Sequence, residues 1–206
     1  MIDQVNGGPA RARNTAIMNA TGEWIAFLDA DDIWLPEHLE SHMALLNRNP
    51  GLCWSAGNYY LESGSQRKPV WKDMTFLANH MSGEVVKDVL ITLPYGSVCS
   101  DVVIVKRSVF AEVGYMDPAL RTTEDVDMWL RIALRYPQIA YCAKPTAIYH
   151  IEVENSLSSR KVDDPLKIPH FLFARKHLSS LPELPENRRA VVAVISCKLM
   201  NIVIKK

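Results

Sequence analysis

The segment Glu23-Trp24-Ile25-Ala26-Phe27-Leu28 reads as a short, largely apolar strand, and it runs straight into Asp29-Ala30-Asp31-Asp32. Three acids in four residues straight after an apolar strand bury charge without obvious partners unless a cation sits there. In open α/β sheets the ligand crevice lies outside the carboxyl ends of the strands. Side chains alternate along an extended backbone, so Asp29 and Asp31 point to one side. Two hard oxygen donors suit Mg2+ or Mn2+, which take one or two carboxylates and complete their shells with phosphates and water. The plainer reading is an acidic loop ahead of the helix opened by Pro36, where such acids contribute about 0.3–1 kcal/mol.

Around this turn the pattern alternates. A glycine turn, Gly7-Gly8-Pro9, leads into helix formers over 10–20, and Pro36 opens a helix to about 48 with Leu39, Met43 and Leu46 as its expected buried stripe. Residues 52–61 and 97–105 read as strands, 85–91 as a helix, and 139–142 and 147–150 as short strands. The strongest helical pattern covers 125–136, with Val126, Trp129, Leu130, Ala133 and Leu134 on one face. From Pro165 the pattern is helical again. Such alternation predicts an α/β layer fold with a mainly parallel sheet. With 48% apolar residues, the 206-residue chain has enough apolar surface for a real core.

Charge excludes one class of partner. Lys+Arg and Asp+Glu balance at 23 each, so no field exists to track a phosphate backbone, and nucleic acid is not an expected partner. The balance is uneven along the chain. Residues 156–206 hold ten basic against four acidic residues, leaving 13 against 19 before them. That tail reads either as a solvated helix or as a surface for peripheral membrane contact. Cys53, Cys99, Cys142 and Cys197 show no metal-ligand spacing and read as thiols of a reduced compartment.

A second acidic group, Thr123-Glu124-Asp125-Val126-Asp127, opens the strongest helix. It reads as a cap with a first-turn acid cluster and an Asp127 to Arg131 pair, or as a general base held at a rigid helix start across the crevice from Asp29. His38 and His42 have i, i+4 spacing but no third ligand, and read as surface residues. His150 closes a strand beyond the second acid group, placed to reach a metal or a diphosphate, with an ordinary strand-end histidine as the competing reading.

These motifs resemble a known family. Asn6-Gly7-Gly8-Pro9-Ala10-Arg11-Ala12-Arg13-Asn14, the 20–32 segment ending in Asp29-Ala30-Asp31-Asp32, Gly114-Tyr115-Met116-Asp117-Pro118 and Glu124-Asp125-Val126-Asp127-Met128-Trp129-Leu130-Arg131 together resemble family 2 glycosyltransferases of the GT-A fold, over roughly 2–158. The resemblance implies an inverting, metal-dependent transfer of a sugar from a nucleoside-diphosphate donor to a hydroxyl acceptor. By position, Asp29 and Asp31 resemble the Asp-x-Asp pair that holds Mn2+ or Mg2+ and touches the donor. Asp125 resembles the base, with Glu124 beside it, and Arg13 resembles an arginine that binds the diphosphate.

The expected architecture is thus a GT-A-like mixed, mainly parallel sheet flanked by helices over 1–158, followed by a helical tail over 159–206. Family members begin with a nucleotide-gripping strand-helix-strand that has no counterpart in this sequence, so an N-terminally truncated domain is expected. Its strand at 23–28 would keep an open edge suited to a homodimer. A truncated, non-catalytic relic or binding subunit is the competing account. A haloacid dehalogenase-type phosphatase also ends a strand in Asp-x-Asp, but would leave the other motifs unexplained. The resemblance further implies a saccharide or lipid-linked glycan acceptor in cell-surface polysaccharide synthesis, and a cytoplasmic location, peripheral at the inner face of the membrane.

Overall fold

The computed structural model describes residues 2–72, 74–93, 98–120 and 123–151, with positions 176, 177, 186, 189, 192 and 193. The expected helical tail over 159–206 and its boundary lie almost wholly outside the described residues.

Helix α1 (Pro9–Asn19) starts on the proline, whose missing N–H is no loss in a first helical turn, and buries Ala10 and Ile17. Strand β1 (Trp24–Ala26), the short β2 (Ile33–Trp34) and α2 (His38–Arg48) follow. Next come β3 (Trp54–Gly57), β4 (Tyr60–Ser63) and β5 (Gln66–Pro69), then α3 (Thr75–Ala78), β6 (Met81–Ser82), β7 (Val85–Val86) and α4 (Val89–Thr92). A 3-10 turn at Ser100–Val102 leads into β8 (Ile104–Lys106), α5 (Val109–Val113), α6 (Glu124–Arg135), β9 (Ile139–Cys142) and β10 (Ala147–His150). No helix among the described residues is long and apolar enough to cross a membrane.

Among the described residues the strands form a six-stranded sheet in the order β1-β8-β3-β9-β7-β6 and a four-stranded sheet in the order β2-β10-β4-β5. Both are mixed, as expected, but the parallel share is smaller than the sequence suggests. Only β3 with β9 and β4 with β10 run parallel among the described ladders. The reason is local. β4 and β5, and β6 and β7, are joined by two-residue connections at 64–65 and 83–84, which can link only antiparallel neighbours. β8 inserts antiparallel between β1 and β3, placing Val105 opposite both Ile25 and Trp54. β1 ends the larger sheet.

Three further expectations are corrected. The strand expected at 52–61 is two strands in different sheets, parted at Asn58, whose side chain bonds backbone groups of Tyr59, Trp71 and Ala143. The helix expected at 85–91 begins as β7, and only Val89–Thr92 is helical, capped by the Asp88 carboxylate on the Leu90 N–H. In α2 the buried face is His38, His42, Leu45 and Leu46, whereas Leu39 is exposed. The histidines are core residues in which remote hydroxyls partner three of the four ring nitrogens, His38 Nε2 having no hydrogen-bond partner among the described residues. His38 Nδ1 lies 3.0 Å from Thr146 Oγ1, His42 Nδ1 lies 2.9 Å from Ser55 Oγ, and the His38 ring stacks on Trp34.

α6 closes the other face of the large sheet. Met128, Trp129, Leu130, Ile132 and Ala133 are fully buried, and Trp129 meets Phe27 edge to face with centroids 5.5 Å apart. A side chain of that size contributes about 1.5–3 kcal/mol by burial. Phe27 is the link between core and chemistry, since the acidic turn begins two residues later.

Candidate active site

Arg13, on α1, stands between the two acidic groups. Its Nη2 donates to Asp29 Oδ1 at 2.5 Å and its Nη1 to Glu124 Oε1 at 2.7 Å. Burial would lower its affinity for the proton, but Asp29, Asp125 and Glu124 outweigh that and hold it above the ordinary arginine value. The residues singled out at 13, 29, 124 and 125 therefore converge from α1, the end of β1 and the start of α6.

The acidic turn is anchored from below. The Asp29 N–H donates to Asp101 Oδ1 at 2.7 Å, and the Asp32 N–H to the Asp29 carbonyl at 3.2 Å. Asp29, Asp32 and Asp101 each offer an oxygen within 4.8 Å of the others. Asp32 and Asp101 are both buried, with carboxylate oxygens in reach of each other. Burial is the main reason that Asp32 is raised and Asp101 is pushed up to about 7, against the backbone donors of His150 and Asp29 respectively. Asp31 stands apart from this trio and is exposed, with its carbonyl accepting from His150 Nδ1 at 2.6 Å. That bond requires the proton on Nδ1 and leaves Nε2 facing Glu62 at 3.4 Å. The His150 N–H donates to Asp32 Oδ1 at 2.7 Å, so the end of β10 is tied to the same turn.

At the start of α6, Asp125 Oδ2 accepts from Ser100 Oγ at 3.0 Å and Oδ1 from the Val126 N–H at 2.7 Å. Glu124 is raised, by burial first and then by the neighbouring Asp125 charge, with Arg13 opposing. Its second oxygen has no hydrogen-bond partner among the described residues. The helix that carries both acids is anchored through Asp127, which is fully buried against Arg131 at 2.9 Å, Lys176 at 2.8 Å and His177 at 2.9 Å. Arg131 also donates to the Val113 and Tyr115 carbonyls, while Asn14 bonds both backbone groups of Met116. The Gly114 to Asp117 motif thus locks α1 to α6.

The Asp127–Arg131 pair was legible at i, i+4, but Ser100 and Asp101 were not. The one available signal was a carboxylate inside 97–105, a run that otherwise reads as an apolar strand. A carboxylate-only donor set fits a hard divalent cation and does not fit a soft one.

The glycosyl transferase family 2 profile matches residues 1–114. An uncharacterized glycosyltransferase of Haemophilus influenzae is 22% identical over 170 residues, covering 78% of this chain and 55% of that one. The amylovoran biosynthesis glycosyltransferase AmsB of Erwinia amylovora is 29% identical over 159 residues, covering 72% and 48%. The crystal structure of S. aureus TarS 1-349 in complex with UDP-GlcNAc superposes with a TM-score of 0.67 at 18% identity, covering 93% of this chain and 52% of that one. The chain spans about half the length of each.

Proposed function

Because the chain belongs to the family 2 glycosyl transferases, we propose that its acidic crevice transfers a sugar from a nucleoside diphosphate to a hydroxyl acceptor with inversion. The observation that carries this reading is Arg13 bonded at once to Asp29 and Glu124, which sets the two acid groups on opposite walls of one site.

Asp29 and Asp31, at the mouth of the turn, would hold Mn2+ or Mg2+ with the donor. A bound cation would supply Lewis-acid neutralisation of the charge developing on the departing diphosphate. Arg13 uses two of its five N–H donors on Asp29 and Glu124, so others remain for phosphate oxygens, and His150 borders the same turn. Asp125 takes the proton of the acceptor hydroxyl as that oxygen bonds the anomeric carbon. The bond from that carbon to the diphosphate oxygen breaks on the opposite side, which inverts the centre, and Glu124 sits beside the base.

The donor class draws support from the UDP-GlcNAc in the TarS complex, and a saccharide acceptor from the amylovoran biosynthesis for which AmsB is named. Synthesis of a lipid-linked glycan would bring the protein to the cytoplasmic face of a membrane, where the basic residues of 156–206 would meet anionic headgroups. β1, at the sheet edge, is the surface that a homodimer would pair.

Asp125→Asn is the test. It should abolish sugar transfer and leave UDP binding in the presence of Mn2+ unchanged by calorimetry. Retained turnover would remove Asp125 as the base.

A further inference from the structure

The 3-10 turn Ser100–Val102 bonds both the acidic turn and Asp125, yet the reaction as proposed draws on neither of its polar side chains. Resting on that reaction, we propose that Ser100 and Asp101 are positioning residues, adjacent on one turn, that fix the donor-holding acidic turn and the base Asp125 at a set separation.

Asp101 holds the 29–34 segment at two points. Its Oδ1 accepts the Asp29 N–H at 2.7 Å and its carbonyl the Trp34 indole N–H at 2.7 Å. Asp32, between them, accepts the His150 N–H, which ties the same segment to the end of β10. Ser100, one residue earlier, donates its hydroxyl to Asp125 Oδ2 at 3.0 Å. Both residues are buried, at 3% and 1% exposure.

The turn is itself rigid. The Val102 N–H bonds the Cys99 carbonyl and the Val103 N–H the Ser100 carbonyl, each at 3.1 Å, and the chain continues directly into β8, paired on both sides by β1 and β3. An apolar residue at 101 would suit the surrounding apolar run but would leave the part-buried Asp29 amide without its acceptor. The arrangement gives the two residues separable effects, Asp101 acting on the donor side and Ser100 on the base.

Four full-length variants test this. Asp101→Ala should speed amide hydrogen exchange at Asp29 and weaken binding of UDP with Mn2+, each by about tenfold. Asp101→Asn keeps a side-chain acceptor for the Asp29 N–H and should restore both. Ser100→Ala should lower kcat for UDP release from UDP-N-acetylglucosamine by about tenfold while leaving KM unchanged, with rescue by Ser100→Thr. If Asp101→Ala does not fold, Asp101→Ser replaces it. An Asp101→Asn variant as impaired as Asp101→Ala would overturn the positioning role in favour of a need for charge, and a Ser100→Ala variant that changes KM and kcat together would overturn the link to the base. If the unaltered protein neither binds UDP nor releases it, the transferase reading fails. Asp29 amide exchange, compared between the Ala and Asn variants, still decides whether Asp101 holds the turn.

Discussion

Replacing Arg13 by methionine keeps the length of the side chain and removes the cation between the two acid groups. Asp29, with a side chain 35% exposed, can recover hydration, but the Glu124 side chain is only 5% exposed and cannot. The loss therefore concentrates on Glu124, already raised from 4.5 by burial and by Asp125. Left without Arg13, it would escape the penalty by taking a proton. Protonating a carboxyl of ordinary value 4.5 at pH 7 sets a ceiling of about 3 kcal/mol, at 1.36 kcal/mol per pH unit. The part of that rise already present in the parent protein, and the relief of Arg13's own burial, reduce it. Asp29 adds up to about 1 kcal/mol as a partly exposed pair. The expected loss is about 2–3 kcal/mol near pH 7.

The sign with pH follows from Glu124. Its folded value in the variant lies above its unfolded value, so the stability of the variant relative to the parent falls as pH rises from about 4.5 towards neutrality. Urea unfolding followed by tryptophan fluorescence should show a gap near 1 kcal/mol at about pH 5 that widens to 2–3 near pH 7. In an Glu124→Gln background, where no carboxylate is abandoned, Arg13→Met should cost about 1 kcal/mol at either pH. Equal losses in both backgrounds, or a gap that does not widen with pH, would refute the reasoning.

The remaining predictions concern the core behind the site. Burial lowers His38 to about 4 and His42 to about 3, the latter further by the charge of His38, so the fold needs both rings neutral. Their folded values lie below the unfolded 6.5, so this stability is present above 6.5 and is lost as pH falls from 6.5 towards 4. A His42→Gln variant should show a flatter decline over that window in thermal melts; an unchanged acid limb would refute the neutral pair. Gly57→Ala would place a Cβ 3.1 Å from both Cys142 Cβ and His42 Nε2, and 3.2 Å from the Cys142 carbonyl. Overpacking there should cost about 1–3 kcal/mol, read as a lowered Tm, and a neutral substitution would show that the β3–β9 ladder yields easily.

Much of the site could be read from the chain itself. The acidic turn after β1 and the acid-opened helix α6 are visible as local pattern and Arg13 only through the family resemblance, and the structure brings 13, 29 and 124 into contact with 125 beside them. Local pattern could not show what depends on remote partners. His38 and His42 read as surface residues because their partners, Thr146 and Ser55, are far away in sequence. Asp101 hid in an apolar run because its function as an acceptor is defined by the Asp29 amide, 72 residues earlier. The parallel bias of the expected sheet failed for a related reason. Alternation of strands and helices says which elements exist, while the direction of β8 is set by the two strands it separates.

The central claim, a nucleotide-sugar site built on the acidic turn, is tested most directly by calorimetric titration of UDP-N-acetylglucosamine with Mn2+ into the parent protein and into Asp29→Asn. The account predicts one saturable site in the parent, lost on chelation and weakened by about tenfold or more in the variant. Equal binding by the two proteins, binding indifferent to the cation, or no binding by the parent would contradict it.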